Sequence, residues 1–160
     1  MKKYEFTGET KTVPLLFGDV TLHRIQAITS FANVVAGELG GWIEKEENLS
    51  HKGGAWVCGN ACVYGNARVC GDACVYGNAC VCGNAEVFSA RHVLVIGAIG
   101  SRDDFTTFYR DKDNEITVKC GCFLGKIDKF LENVTQTHSD SKYASVYRAA
   151  VEVAKLQIDL

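Results

Sequence analysis

Proline is nearly missing from this chain, with Pro14 as its one occurrence. Interior strands tolerate proline poorly, so Pro14 should mark an edge strand or a bend. Charge of one sign is missing too: 17 Lys and Arg face 19 Asp and Glu, a net charge of −2. That balance gives nucleic acid no basic field to follow, so nucleic acid is not an expected partner. There is no run of about eighteen apolar residues to span a bilayer, and no charged-then-apolar N-terminal segment to direct export. The expected location is the cytoplasm, away from membranes. No glycine-rich phosphate cradle precedes a helical pattern, and no nucleophile, base and orienting group can be placed together from the sequence. The absences remove several common enzyme classes, and no cofactor is expected.

What the chain does have is repetition. From Gly53 to Phe88 one six-residue phrase recurs six times, as in Gly59-Asn60-Ala61-Cys62-Val63-Tyr64 and Gly71-Asp72-Ala73-Cys74-Val75-Tyr76. Alanine and valine lie two apart, so a short strand turns both inward and the residue between them outward. Those outward residues are Trp56, Cys62, Arg68, Cys74, Cys80 and Glu86. The Gly-Asn or Gly-Asp pair supplies a corner, since glycine accepts positive φ and Asn or Asp bonds its own local backbone. A fixed short period of this kind predicts a solenoid.

If three hexads close one coil, residues eighteen apart stack. Val57 then pairs with Val75, Arg68 with Glu86 and Cys62 with Cys80, about 4.8 Å apart as in any paired strands. A period of twelve is also present, in which Cys58, Cys70 and Cys82 alternate with Tyr64, Tyr76 and Phe88. That alternation suits a flattened, two-sided arrangement. The spacing leaves both open, and three sides are preferred because the hexads resemble the left-handed parallel β-helix of hexapeptide-repeat proteins.

Six of the eight cysteines occupy hexad slots, and no export signal accompanies them. They are expected to be reduced structural thiols rather than a disulfide framework. Their spacing gives no paired C-x2-C cluster, so no metal site is expected.

Residues 1–52 read as a cap. Tyr4 and Phe6, then Val13 to Phe17, then Leu22, Ile25 and Ile28 predict short antiparallel strands that cover the array's open end. Residues 37–43 repeat the small-then-apolar rhythm out of register and predict an irregular first coil. Glu44 to Asn48 reads as a charged surface loop, with Leu49 returning to the core. Residues 53–99 are assigned to the array, and the apolar run Leu94-Val95-Ile96 marks where it should meet another layer. Residues 100–160 read as a small α+β domain. A β-hairpin turns at residues 111–114, with Cys120 and Cys122 on its core face, and two amphipathic helices cover residues 126–138 and 141–158. Ser139 to Ser141 offer N-cap oxygens to the second helix.

The hexads resemble the left-handed parallel β-helix of hexapeptide-repeat proteins. Gly-Gly-Trp-Ile-Glu at 40–44, Gly-Ser-Arg at 100–102, Thr-Thr-Phe-Tyr-Arg at 106–110 and Val-Lys-Cys-Gly-Cys-Phe at 118–123 extend the resemblance to hexapeptide-array accessory proteins of phages and prophages. That resemblance implies a mainly β fold, a short left-handed parallel β-helix followed by the α+β domain, and self-assembly, with a trimer favoured. It implies a genomic context, that of an accessory protein with counter-defence as its candidate role, and no mechanism.

Three functional readings follow. The first is acyl transfer from CoA, the activity of many hexapeptide-repeat proteins, whose general base is a histidine between neighbouring copies. Only His51 and His92 lie near the array here, and no loop leaves it to cover a pantetheine arm. The second is binding of a small anionic ligand or a protein by Arg102, Thr106, Thr107, Arg110, Lys119 and His138, because paired arginine donors and hydroxyls suit phosphate and carboxylate. The competing account pairs Arg102 and Arg110 with Asp103, Asp104 or Asp111 on a solvated hairpin. The third is a rigid homo-oligomer whose interface uses Trp56, Tyr64 and Tyr76, aromatic types enriched at interfaces. A non-enzymatic oligomer that binds through its C-terminal domain combines the last two and is the preferred expectation.

Overall fold

The computed structural model describes all 160 residues. It opens on β1 (Tyr4–Val13) and β2 (Val20–Ala27), which pair antiparallel across a turn containing Pro14. Strand β3 (Leu39–Ile43) lies antiparallel to β2 on one side. On its other side it runs parallel to β5 (Cys62–Val63), at an offset of twenty residues, Trp42 to Cys62. The sequence signature of residues 37–43 was the same rhythm out of register, and the two extra residues are that slip.

The hexads give six two-residue strands at equivalent positions: β4 (Trp56–Val57), β5, β6 (Arg68–Val69), β7 (Cys74–Val75), β8 (Cys80–Val81) and β9 (Glu86–Val87). β4 pairs with β7, β5 with β8 and β6 with β9, all parallel, so Val57 faces Val75, Val63 faces Val81 and Val69 faces Val87. Every hexad alanine and valine is at most 1% exposed. The corners are made by Gly59, Gly65, Gly71, Gly77 and Gly83 with φ between 62° and 69°, a region that a β-carbon disfavours.

The expected architecture is nevertheless corrected. A left-handed parallel β-helix, or solenoid, carrying the whole fold does not describe the molecule, whose strands fall into several small sheets of differing direction. The sheet β1-β2-β3-β5-β8 is mixed, antiparallel as far as β3 and parallel beyond it. The other two parallel ladders are isolated pairs of two-residue strands. Six hexads give each short strand one partner eighteen residues away, too few for a continuous parallel stack. Longer antiparallel elements at both ends supply most of the sheet hydrogen bonding.

The C-terminal part is more than a hairpin. Strands β10 (Val93–Ile99), β11 (Asp104–Arg110), β12 (Ile116–Cys120) and β13 (Phe123–Lys126) form a four-stranded antiparallel sheet in sequence order. Helices α1 (Ile127–His138) and α2 (Lys142–Gln157) follow. Because β10 belongs to this sheet, the change of architecture lies before Val93 and not at residue 100. The apolar run in β10 is explained by two cores. Val93 and Val95 pack with the array, while Leu94, Ile96 and Ile99 pack with the helices.

Strand β11 divides in the same way and makes the seam between the two parts. Tyr109, fully buried, closes the end of the array core, and its hydroxyl donates to the Cys82 carbonyl at 3.0 Å. Phe108 points into the helix core against Phe130. The Thr107 hydroxyl accepts from the Cys80 backbone N–H at 3.0 Å. Lys112 N donates to the Asn84 carbonyl at 2.9 Å.

At the other end Tyr4 closes the array core, its hydroxyl donating to the Leu49 carbonyl at 2.8 Å. The charged loop at 44–48 holds an exception to its expected exposure. Asn48 is fully buried and donates to the carbonyls of Gly65 and Ala67 while accepting from Lys45 N. At the second helix Ser141 sits at the N-cap position without a side-chain cap bond.

Candidate ligand-binding trench

The turn between β12 and β13 is the two-residue loop Gly121-Cys122, since Cys120 pairs directly with Phe123. Gly121 takes φ 57°, which this tight hairpin requires. Cys122 therefore sits at the hairpin tip and is exposed, not on the core face expected from alternation. Two cations flank this tip. Lys119 Nζ donates to the Gly121 carbonyl. A β-carbon placed on Gly121 would lie 4.0 Å from Arg102 Nη1. Neither cation forms an ion pair with any carboxylate.

A cleft of about 750 Å³ opens on one side of the tip, between it, the apolar β1–β2 turn (Pro14, Leu15, Leu16) and Tyr64 and Cys80 of the array. A hollow of about 260 Å³ opens on the other side, reaching Arg102, Phe130, Asn133, His138 and Tyr147. Asp104, Gly121 and Cys122 line both, so the two hollows share a rim at the hairpin tip and are taken together as a trench beside the seam. The Asp104 carboxylate accepts from Phe105 N and opposes the cations.

His138 stacks on Tyr147 with ring centroids 5.7 Å apart and 28° between planes, and lies 5.8 Å from Tyr143. Burial pushes the Tyr147 hydroxyl up to about 12, aided by the Cys120 thiol and the Asp104 carboxylate, with Arg102 acting in the opposite sense. In the array wall, the Cys80 Sγ donates to the Tyr64 hydroxyl at 3.4 Å and the Cys82 Sγ lies 3.7 Å from the Tyr109 hydroxyl. Hydrogen bonding with Cys80 pulls the Cys82 thiol down to about 6, against burial, with help from the two tyrosine hydroxyls and the Lys119 charge.

Three of the six expected binding residues, Arg102, Lys119 and His138, line this trench, and three do not. Thr106 and Thr107 are each 1% exposed. Thr106 donates to Cys120 Sγ on the helix side of the sheet, and Thr107 bridges to Cys80 in the seam, so both hydroxyls are taken up inside the chain. Arg110 is committed as well. Its Nε donates to Asn114 Oδ1 at 2.9 Å, Nη1 reaches the Glu86 carbonyl at 3.3 Å, and the guanidinium lies over the Phe88 ring. Asp111, offered as a partner for the arginines, instead binds Lys126 at 2.5 Å and Thr117 at 2.6 Å.

The interface candidates divide similarly. Trp56 is 3% exposed beneath Tyr4 and Phe31, and Tyr64 is 5% exposed beside Leu22 and Cys82, so both are used inside the chain. Tyr76 alone of the three is open, at 47% exposure. The N-terminal hairpin covers the face that alternation assigned to solvent.

All eight cysteines are free thiols. No group of three or more His, Cys, Asp or Glu side chains is gathered to hold a metal ion. His51 and His92 are tied to the backbone, His51 Nδ1 accepting from Lys3 N at 3.3 Å and His92 Nδ1 from Phe88 N at 3.1 Å. Sequence reading missed Asp104, Cys122, Asn133 and Tyr147. The Lys-Cys-Gly-Cys-Phe phrase was a usable signal for the hairpin tip, since a glycine between strand-forming residues marks a tight turn.

With this geometry in place, relatives can be compared. No family model matches the chain. It is 35% identical over 70 residues to an uncharacterized acetyltransferase, YdcK, of Escherichia coli strain K12, a match covering 41% of this chain and 22% of that protein. The chain thus matches about a fifth of that relative's length. The phage-accessory part of the resemblance gains no support from it. No helix is long and apolar enough to cross a membrane.

Proposed function

We propose that this protein acts by binding a small anionic ligand with an apolar body in the trench at the seam. The observation that carries the reading is the pair of cations, Arg102 and Lys119, both without an acidic partner, on either side of an exposed hairpin tip between two apolar-walled hollows. Unpaired guanidinium and ammonium groups beside a concave wall are donors for phosphate or carboxylate, while Pro14, Leu15, Leu16 and Phe123 offer surface to a ring or chain. Self-association, a trimer first, is a separate part of the proposal. Its remaining aromatic contact is Tyr76, and native mass spectrometry reads the subunit number directly.

Acyl transfer is the second reading, and the acetyltransferase relative is what favours it. Its two candidate bases have their Nδ1 atoms bound to the backbone, and neither lines the trench. Acetyl-CoA consumption that depends on His51 or His92 would transfer the assignment to it.

Calorimetric titration with 2-naphthyl phosphate, and with neutral 2-naphthol as control, tests the binding reading. Arg102→Gln with Lys119→Gln should weaken phosphate binding by about tenfold or more, a loss of about 1.4 kcal/mol, and leave naphthol binding unchanged. The melting temperature should hardly move, because exposed charges contribute little to stability. Equal phosphate affinity in wild type and double variant would overturn the assignment.

A further inference from the structure

We propose that strand β10 is an interaction edge that pairs antiparallel with β10 of a second copy of this chain, across a two-fold axis. β10 is an outer strand of the C-terminal sheet, with β11 on one side only. No backbone hydrogen bond of Val93–Ile99 reaches any other element. In an antiparallel pair alternate residues bond the neighbouring strand, so the remaining N–H and C=O groups of β10 point outward without a protein partner. The other sheet edges carry the features that discourage such pairing. β1 holds Glu5, Glu9 and Lys11 and is broken by an irregularity between Phe6 and Thr10. β13 has four residues and includes Lys126. β8 has two, and the Thr107 hydroxyl takes its Cys80 N–H. β10 has seven residues, Val-Leu-Val-Ile-Gly-Ala-Ile, with no charge and no proline. The C-terminal residues come near its start, where Asp159 N donates to the Arg91 carbonyl at 3.0 Å, but that contact falls before the strand begins.

A copy of the same strand is the occupant that fits. Recognition of a foreign extended peptide needs pockets for its alternate side chains, and none of the larger clefts is lined by residues 93–99. A second β10 brings no charge to the junction, and a two-fold contact covers both open edges at once and closes at two copies. Its ends are complementary. Antiparallel pairing brings the start of one strand near the end of the other, so exposed Arg91 approaches Asp103, which is exposed and in no ion pair within its own chain. The overhanging helix extends the contact. α2 packs over β10 and α1 over β12 and β13. Arg148 of α2 reaches the end of α1, at Thr135 and Ser139. Val153 and Val146 lie roughly 140 and 160° round the helix from Arg148, on the flank turned away from α1 and toward the open edge. Val146 is half-buried and Val153 is 48% exposed. Two four-stranded sheets then become one of eight strands, a size that open twisted sheets reach. A trimer built through the array would use other surfaces.

Sedimentation velocity and amide hydrogen exchange of the full chain, at about 5 and about 500 µM, test the pairing, because mass action fills a weak dimer only at the higher concentration. The chain should sediment as a dimer there, and alternate amides of residues 93–99 should exchange about tenfold more slowly than in the dilute sample. The amides of β1 should show no such dependence. Ala98→Lys and Val153→Lys each set a charge at an exposed position of the edge or its flank, where a partner strand would strip its water. Neither residue lines the trench. Both variants should sediment as monomers at about 500 µM and keep the wild-type melting temperature in dilute solution. The exchange experiment needs no variant, so a misfolded one leaves the test standing. A wild-type chain that stays monomeric at the higher concentration overturns the proposal and leaves the edge to an extended segment of another protein. An assembly of any size whose β10 amides exchange freely at both concentrations, or whose mass is the same in both variants, overturns it too. A trimer of that kind would leave the separate self-association reading intact.

Discussion

The hexad core and the seam both bury their central residues, but they are specified in different ways. In the core each position recurs: an alanine and a valine turn inward, a glycine turns the corner, and a partner waits eighteen residues away. In the seam nothing recurs. Tyr109 bonds to Cys82, Thr107 to the Cys80 N–H and Lys112 to the Asn84 carbonyl, each a different contact with the last hexads. A repeat states its own packing rule several times over, whereas a junction is stated once and by residues that look ordinary. The candidate site lies at the junction, where an unrepeated surface has room for a ligand.

The sharpest way to break this comparison is to charge the repeating core. Val75, fully buried and paired with Val57, should not tolerate aspartate. Losing an apolar side chain worth about 1.5 to 3 kcal/mol and burying an unpaired charge would consume most of a stability of about 5 to 15 kcal/mol. Val75→Asp should show no cooperative thermal transition. An unchanged melting temperature would mean that the hexads are not the core.

The seam should respond less, and in two separable steps. Tyr109→Ala should cost about 3 to 5 kcal/mol, as removal of a buried ring does. Tyr109→Phe keeps the ring and strips the Cys82 carbonyl of its donor, a cost of about 1 kcal/mol. Denaturant unfolding of both variants measures the difference, and a negligible loss in Tyr109→Ala would show that the two parts only abut.

Much of this architecture was legible. Alternation placed Ala and Val inside each hexad, the Gly-Asn signal placed the corners, and the apolar run at Leu94 to Ile96 located the meeting of two layers. What escaped was long-range covering. Trp56 and Tyr64 fall where alternation points to solvent, and the folded N-terminal segment buries them, with Tyr4 and Phe31 against Trp56 and Leu22 beside Tyr64. The parallel stack extrapolated from the hexads stops at one or two pairings, because antiparallel strands bound it on either side. For the site, Arg102 and Lys119 were named from residue type alone. Thr106, Thr107 and Arg110 were named for the same reason, yet β11 turns Thr106 to Cys120 on the helix side, Thr107 into the seam and Arg110 to Asn114 and the Glu86 carbonyl. A strand's side-chain period fixes two faces but does not say which neighbour each will meet.

A smaller effect sharpens the contrast at the hairpin's far end. Asp111 is 3% exposed. Although burial opposes its charge, bonds from Lys126, Thr117 and the backbone N–H groups of Asp113 and Glu115 hold its carboxyl below the usual range. The unfolded state then binds the proton more readily. The carboxylate contributes stability above its unfolded pKa of about 3.9 and loses it as pH falls through the lower folded value. Asp111→Asn should cost about 2 kcal/mol at neutral pH, and the gap should close as wild type is acidified below about pH 4. A gap constant from pH 6 to pH 2 would contradict the role given to the charge.

The central claim is that ligand binding belongs to the seam and not to the array. Amide resonances of the isotopically labelled protein, followed while 2-naphthyl phosphate is added, test it directly. The account predicts saturable shifts at residues 101–105, 119–123 and 137–138, with the strands of the hexads little changed and the response lost in Arg102→Gln/Lys119→Gln. Shifts concentrated around His51, His92 or the Arg68 and Glu86 strands, with the hairpin tip silent, would contradict it.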